Sequence, residues 1–86
     1  MNPPEYAPSG AAKSFRPGIY EHFKGKRYKA YGVVRHSETL EEMILYQHLY
    51  GDFSFWVRPI GMFLEDVTRD GEKMPRFKYI EESHGF

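Results

Sequence analysis

The sequence predicts a mainly β fold, a small barrel or roll of five to six antiparallel strands with one short helical turn. Short runs rich in β-branched and aromatic residues recur along the chain, and turn-forming residues separate them at regular spacing. The chain is also aromatic-rich, with seven Tyr, seven Phe and one Trp among 86 residues. A domain this small buries only about 60% of its unfolded surface, so bulky rings are what fill its core when disulfides are lacking.

The elements follow in order. Gly18 to Phe23, GIYEHF, is rich in β-formers and is followed by a tight turn at Lys24-Gly25. Arg27 to His36 resumes the extended pattern, with Gly32 marking a bulge or a close approach. SETLE then interrupts it. Glu42 to Tyr50, EMILYQHLY, carries a possible helical stripe through Leu40, Met43, Ile44, Gln47 and Tyr50, but it is short and ends in Gly51-Asp52, so a strand is expected. FWVRP, Phe55 to Pro59, is a strand stopped by a residue that cannot donate to a ladder. IGMFLEDV makes a short turn and one more strand. Asp70-Gly71 is a two-residue hairpin signal between LEDVTR and EKMPRFKYI, with Pro75 placing the last strand at an edge.

One domain is expected over residues 15–82, preceded by a flexible arm over 1–14 rich in Pro, Gly and Ala and followed by a short tail over 83–86. With no cysteine there is no disulfide framework, thiolate ligand or cysteine nucleophile. The first residues have neither an apolar run nor a basic start, so they read as neither signal peptide nor membrane span, and a cytoplasmic setting is expected.

Formal net charge is zero, which removes bulk attraction to nucleic acid. The distribution is uneven: Lys13 to His36 is strongly basic and Ser37 to Glu72 strongly acidic. The two segments are expected to neutralise each other side by side; the alternative is a basic stripe on the first hairpin that meets phosphates.

Several motifs together carry a resemblance. The run Gly18-x-Tyr20-x-His22-x-Lys24-Gly25-x-x-Tyr28, then His36-Ser37-Glu38-Thr39, Tyr46-x-x-Leu49-Tyr50-Gly51, Trp56-Val57-Arg58-Pro59-x-x-Met62-Phe63, and Asp70-Gly71 with Pro75-Arg76-Phe77 resembles a small bacterial family of uncharacterised domains. The similarity runs from about Pro17 to Ile80. It implies an SH3-like barrel and carries no assigned activity or catalytic residue.

Pairing the two strands around SETLE as an antiparallel hairpin suggests a register with His36 opposite Glu42 and Val34 opposite Ile44. One face then holds Tyr31, Val33, Met43, Leu45 and Leu49 and reads as core. The other holds Tyr28, Ala30, Gly32, Val34, His36, Ile44, Tyr46, His48 and Tyr50, aromatic with polar tips, and suits a ligand that stacks and hydrogen-bonds. A slip of one residue exchanges the faces, and the aromatic stripe is then the core.

The Arg35-His36-Ser37-Glu38-Thr39 stretch sets a serine beside a histidine, yet neighbours in a strand diverge and no nucleophile elbow is present. A polar corner, with Ser37 or Thr39 bonding the backbone, is the expectation. His22, His36 and His48 with Glu38 or Glu42 match no compact metal-ligand spacing, so neither a metal nor another cofactor is assigned.

The functional expectation is a binding or interaction module for a peptide, protein or nucleic-acid segment. Its candidate ligand residues are Arg35, His36, Glu38, Tyr46, His48, Tyr50, Trp56 and Arg58. The rival readings are a small hydrolase or metal-assisted enzyme using His36 and Glu38, and a structural subunit whose aromatic face is a homodimer seam.

Overall fold

The computed structural model describes residues 7–83. Seven strands and two short helices run in the order α1 (Gly10–Ser14), β1 (Gly18–His22), β2 (Arg27–Arg35), β3 (Glu42–His48), β4 (Phe55–Pro59), α2 (Ile60–Leu64), β5 (Asp66–Arg69), β6 (Glu72–Pro75) and β7 (Phe77–Glu81). The fold is mainly β, as the strand pattern predicts. Its five-stranded antiparallel sheet, ordered β4-β3-β2-β1-β7, does not close into a barrel, and β5 and β6 form a separate hairpin. Among the described residues no helix is long and apolar enough to cross a membrane. The outer residues of the expected arm and tail, 1–6 and 84–86, lie outside the described range.

Local chemistry explains the turns. Gly25 N–H donates to the His22 carbonyl at 2.7 Å and closes the β1–β2 hairpin. Asp70 and Gly71 both take positive φ, 53° and 79°, the pair of angles that a type I′ turn requires. Pro75 ends β6 instead of sitting within one long final strand. The next residue, Arg76, donates its N–H to the Glu65 carbonyl at 3.0 Å, and the chain then crosses to pair with β1.

The expected β2–β3 register needs correction. Val33 pairs with Ile44 and Arg35 with Glu42, because the register shifts between Ala30 and Gly32. Gly32 adopts φ of 153°, and the bulge puts one more residue on β2 than on β3. Before the bulge, Tyr28, Ala30, Ile44, Tyr46 and His48 share a face as expected. After it, Val33 and Arg35 replace Gly32, Val34 and His36 on that face.

That face is the core. Tyr20, Tyr28, Ala30, Ile44, Tyr46, Phe63 and Phe77 are buried, and Phe15, Val33, Tyr50, Ile60 and Tyr79 pack against them. Met43 and Leu45, placed in the core by the sequence reading, lie on the other, convex face and are only half-buried. The cover comes from α2, whose Phe63 is fully buried and stacks on Phe77 at 4.2 Å between ring centroids. Phe15, just after α1, stacks on Tyr20 at 5.8 Å. Helix α1 is capped by the Ser9 hydroxyl, which accepts from Ala12 N–H, while the Ser9 N–H donates to Glu42 at 3.0 Å and ties this segment to β3.

Candidate functional site

Near the β1–β2 hairpin the concave face is only partly covered, and there the aromatic side chains form a ladder. Antiparallel pairing sets Tyr28 opposite His48 and Tyr46 opposite Trp56. Directly paired residues place their side chains on one face, so rings from neighbouring strands meet. His48 stacks on Trp56 at 5.4 Å and 11°, and on Tyr50 at 4.9 Å and 9°. The Lys26 ammonium lies 4.9 Å from the Tyr50 ring and continues the stack as a cation over a π face.

Tyr28 is the floor. Its ring meets His48, Tyr46, Tyr50 and Phe77 edge-on, and its hydroxyl shares a 2.9 Å hydrogen bond with the Tyr50 hydroxyl. Burial, and then that bond to Tyr50, push the Tyr28 phenol well above its ordinary value, so it stays protonated. Trp56 is 52% exposed, and its indole N–H donates to Ser54 Oγ at 2.7 Å, which fixes the ring's orientation.

Arg58 lies two residues further along the same face of β4. Its guanidinium carbon is 5.6 Å from the Phe77 ring centre, and its Nε is buried with no hydrogen-bond partner. The ion pairs among the described residues include Arg27–Glu21, Lys73–Asp66 and Arg76–Glu65, and none engages Arg58. A half-buried cation without a carboxylate is an unusual burden for so small a domain. His22 packs edge-on against Phe77 at 5.0 Å. Burial, and then the nearby charges of Arg76, Arg58 and Lys24, hold the His22 imidazole below its ordinary pKa. Its Nδ1 accepts from Lys24 N–H at 3.2 Å, which fixes the neutral form with its proton on Nε2.

The family model for "Protein of unknown function (DUF1653)" matches residues 18–79. The chain belongs to the DUF1653 family. A crystal structure of a DUF1653 protein from Bordetella bronchiseptica is similar to it, with 32% sequence identity and a TM-score of 0.78, covering 87% of this chain and 99% of that one. No curated protein matches the chain.

In this DUF1653 domain, His48, Tyr50 and Trp56 come together at the β1–β2 end of the concave face, with Tyr46 buried in the core beside them; Arg58, opposite Ile44, lies further along β4 with its guanidinium over Phe77. Arg35, His36 and Glu38 do not join them. They lie where β2 turns into β3: Arg35 is seven residues along β2 from Tyr28, roughly 20 Å at the rise of a strand, and two residues beyond the Val33–Ile44 pair that Arg58 faces.

There His36, not Ser37, organises the corner. Its N–H donates to the Glu41 carbonyl at 2.9 Å, and its Nδ1 accepts from the N–H groups of Glu38 and Thr39 at 3.1 and 3.2 Å. Thr39 Oγ1 accepts from Glu41 N–H, as a turn hydroxyl does. The His36 imidazole is thereby engaged by backbone, and His36 is remote from His22 and His48. Among the described residues no three His, Asp or Glu side chains gather closely enough to hold a metal ion.

The sequence reading missed Lys26 and Phe77 at the site, and weighed His22 only as a metal ligand. Phe77 reaches it through the pairing of β7 with β1, which joins residues far apart in the chain. Concavities among the described residues, of about 450, 310 and 480 Å³, are lined by residues outside the ladder, Arg35 bordering the one of 310 Å³. The ladder is an open surface of rings and cations.

Proposed function

We propose that this DUF1653 domain is a non-enzymatic binding module that engages a segment of a partner protein on the ladder of His48, Tyr50 and Trp56, with Arg58 meeting an acidic group. The observation that carries this reading is Arg58, a partly buried guanidinium with an unsatisfied Nε beside an exposed tryptophan. Such a pair is costly to the free domain and useful to a complex, because tryptophan and arginine are the side chains that most often dominate interfaces. An open ring surface also suits a chain segment better than it suits a small molecule, which is typically enclosed. Supporting this further, His36 Nδ1 accepts two backbone N–H groups, so the neutral imidazole carries its proton on Nε2 and has no free lone pair there to serve as a hydrolase's base.

The test is selection of a displayed random-peptide library on the immobilised full chain, with the selected peptides remeasured against Trp56→Ala and Arg58→Ala. Loss of binding in both variants is expected. Selected binding that survives both substitutions refutes the site.

A further inference from the structure

Resting on that reading, we infer that the partner segment binds as an added β-strand along the free edge of β4, with acidic side chains over Arg58 and apolar ones against Phe55 and Val57. Strand β4 is the outermost strand of the sheet, with β3 on its inner side and no strand beyond it among the described residues. His48 N–H donates to the Ser54 carbonyl, and Trp56 and Arg58 stand opposite Tyr46 and Ile44 in the same register. In an antiparallel ladder the bonded positions alternate, so Trp56 and Arg58 turn their backbone groups towards β3 while Phe55 and Val57 turn theirs outwards. That leaves two N–H and two C=O groups facing away from the sheet.

Over Phe55 to Val57 the side chains of this edge are not those of a guarded one, the charge and the proline coming only at Arg58 and Pro59. Exposed edges are ordinarily protected by charge, and β7 at the far side of the sheet carries Lys78 and Glu81. Strand β4 instead exposes Phe55, Trp56 and Val57 consecutively, at 58%, 52% and 48%. Residues of an added strand opposite Phe55 and Val57 would exchange backbone hydrogen bonds and lay their side chains on the convex face. Those opposite Trp56 and Arg58 would stand at the closer, non-bonded positions on the concave face, within reach of the indole and the guanidinium. Charge complementarity therefore selects an extended peptide that alternates acidic and apolar residues, the pairing mode in which main chain gives affinity and alternate side chains give specificity.

The experiment titrates the full chain with capped peptides alternating valine with glutamate, with lysine or with serine, following the emission of Trp56, the sole tryptophan. The glutamate series should bind tightest and should weaken against Arg58→Ala. An N-methyl group is then placed at each peptide position in turn. Methylation should weaken binding about fivefold or more at every second position, where an N–H bonds the edge of β4, and little at the positions between, as expected for loss of single hydrogen bonds.

Binding that depends on Trp56 and Arg58 but shows no period-two pattern overturns strand addition and leaves the site intact. Failure of all three series, or equal binding of the lysine series, overturns the peptide class proposed here. Pairing of β4 with a second copy, seen as a doubled solution mass abolished by Val57→Lys, assigns the edge to the homodimer and overturns it as well.

Discussion

Replacing Arg58 with methionine should stabilise this domain while abolishing its binding. The Nε of Arg58 is buried with no partner, and an unsatisfied buried donor costs about 1–3 kcal/mol. The guanidinium recovers part of this from the Phe77 ring 5.6 Å away, a contact worth roughly 0.5–2 kcal/mol. Methionine keeps an unbranched apolar stem against the same ring and loses the charge. The balance favours the variant by about 1 kcal/mol, which for a domain of this size raises Tm by roughly 4–8 °C. Thermal and urea melts at neutral pH read the change directly.

A second signal comes from His22, since Arg58 is one of the cations that hold its pKa down. In the Arg58→Met protein the His22 imidazole should titrate at a higher pH, followed by the NMR shifts of its ring protons. A variant that melts lower than the parent, with His22 unmoved, would refute the view of Arg58 as an unpaired charge kept at a cost to stability.

Other outcomes follow from the same geometry. Phe63→Ala empties the position against which Phe15, Tyr20, Tyr46 and Phe77 pack, and should cost about 3–5 kcal/mol in a urea melt. A loss below ~1 kcal/mol would mean that α2 is not the lid of the core. Because the folded His22 imidazole has a pKa below the ordinary 6.5, the unfolded chain binds more protons between the two values. Its contribution to stability is therefore complete above that ordinary value and is lost as pH falls through the folded one. His22→Phe should flatten this acid limb, read from urea midpoints on either side of the ordinary value, and an unchanged slope would contradict the assignment. Ser9→Ala removes the cap of α1 and one of its ties to Glu42, and should cost about 0.5–2 kcal/mol, or nothing measurable if the segment does not hold to the sheet.

What the sequence made legible was local. The β-rich runs, the Lys24-Gly25 and Asp70-Gly71 turns and the stop at Pro59 all rest on chemistry within a few residues, and each appears in the fold. The β2–β3 register was not legible, because Gly32 marks a bulge without saying which residue is the extra one. That single residue moved Val34 and His36 off the concave face and brought Val33 and Arg35 onto it.

The same limit explains the site. Tyr46, His48 and Tyr50 alternate along one stretch of chain, so their common face follows from the period of a strand, and Trp56 and Arg58 follow from the next hairpin. Phe77 and the Lys26 cap depend on which distant strands pair and on how a lysine folds over a ring. His36 misleads for a different reason: its Nδ1 is placed to accept backbone N–H groups two and three residues on, the role usually given to Asp or Ser. Nothing in its neighbours distinguishes that role from a base.

In the function proposed above, the partner binds on the rings of β3 and β4 and on Arg58, and not at the β2–β3 turn. Backbone and indole NMR shifts of the labelled full chain, followed during titration with a peptide selected from the display library, test it most directly. The largest changes are expected at the Trp56 indole N–H and the amides of Phe55, Val57 and His48. Changes confined to Arg35 through Glu41 would contradict it.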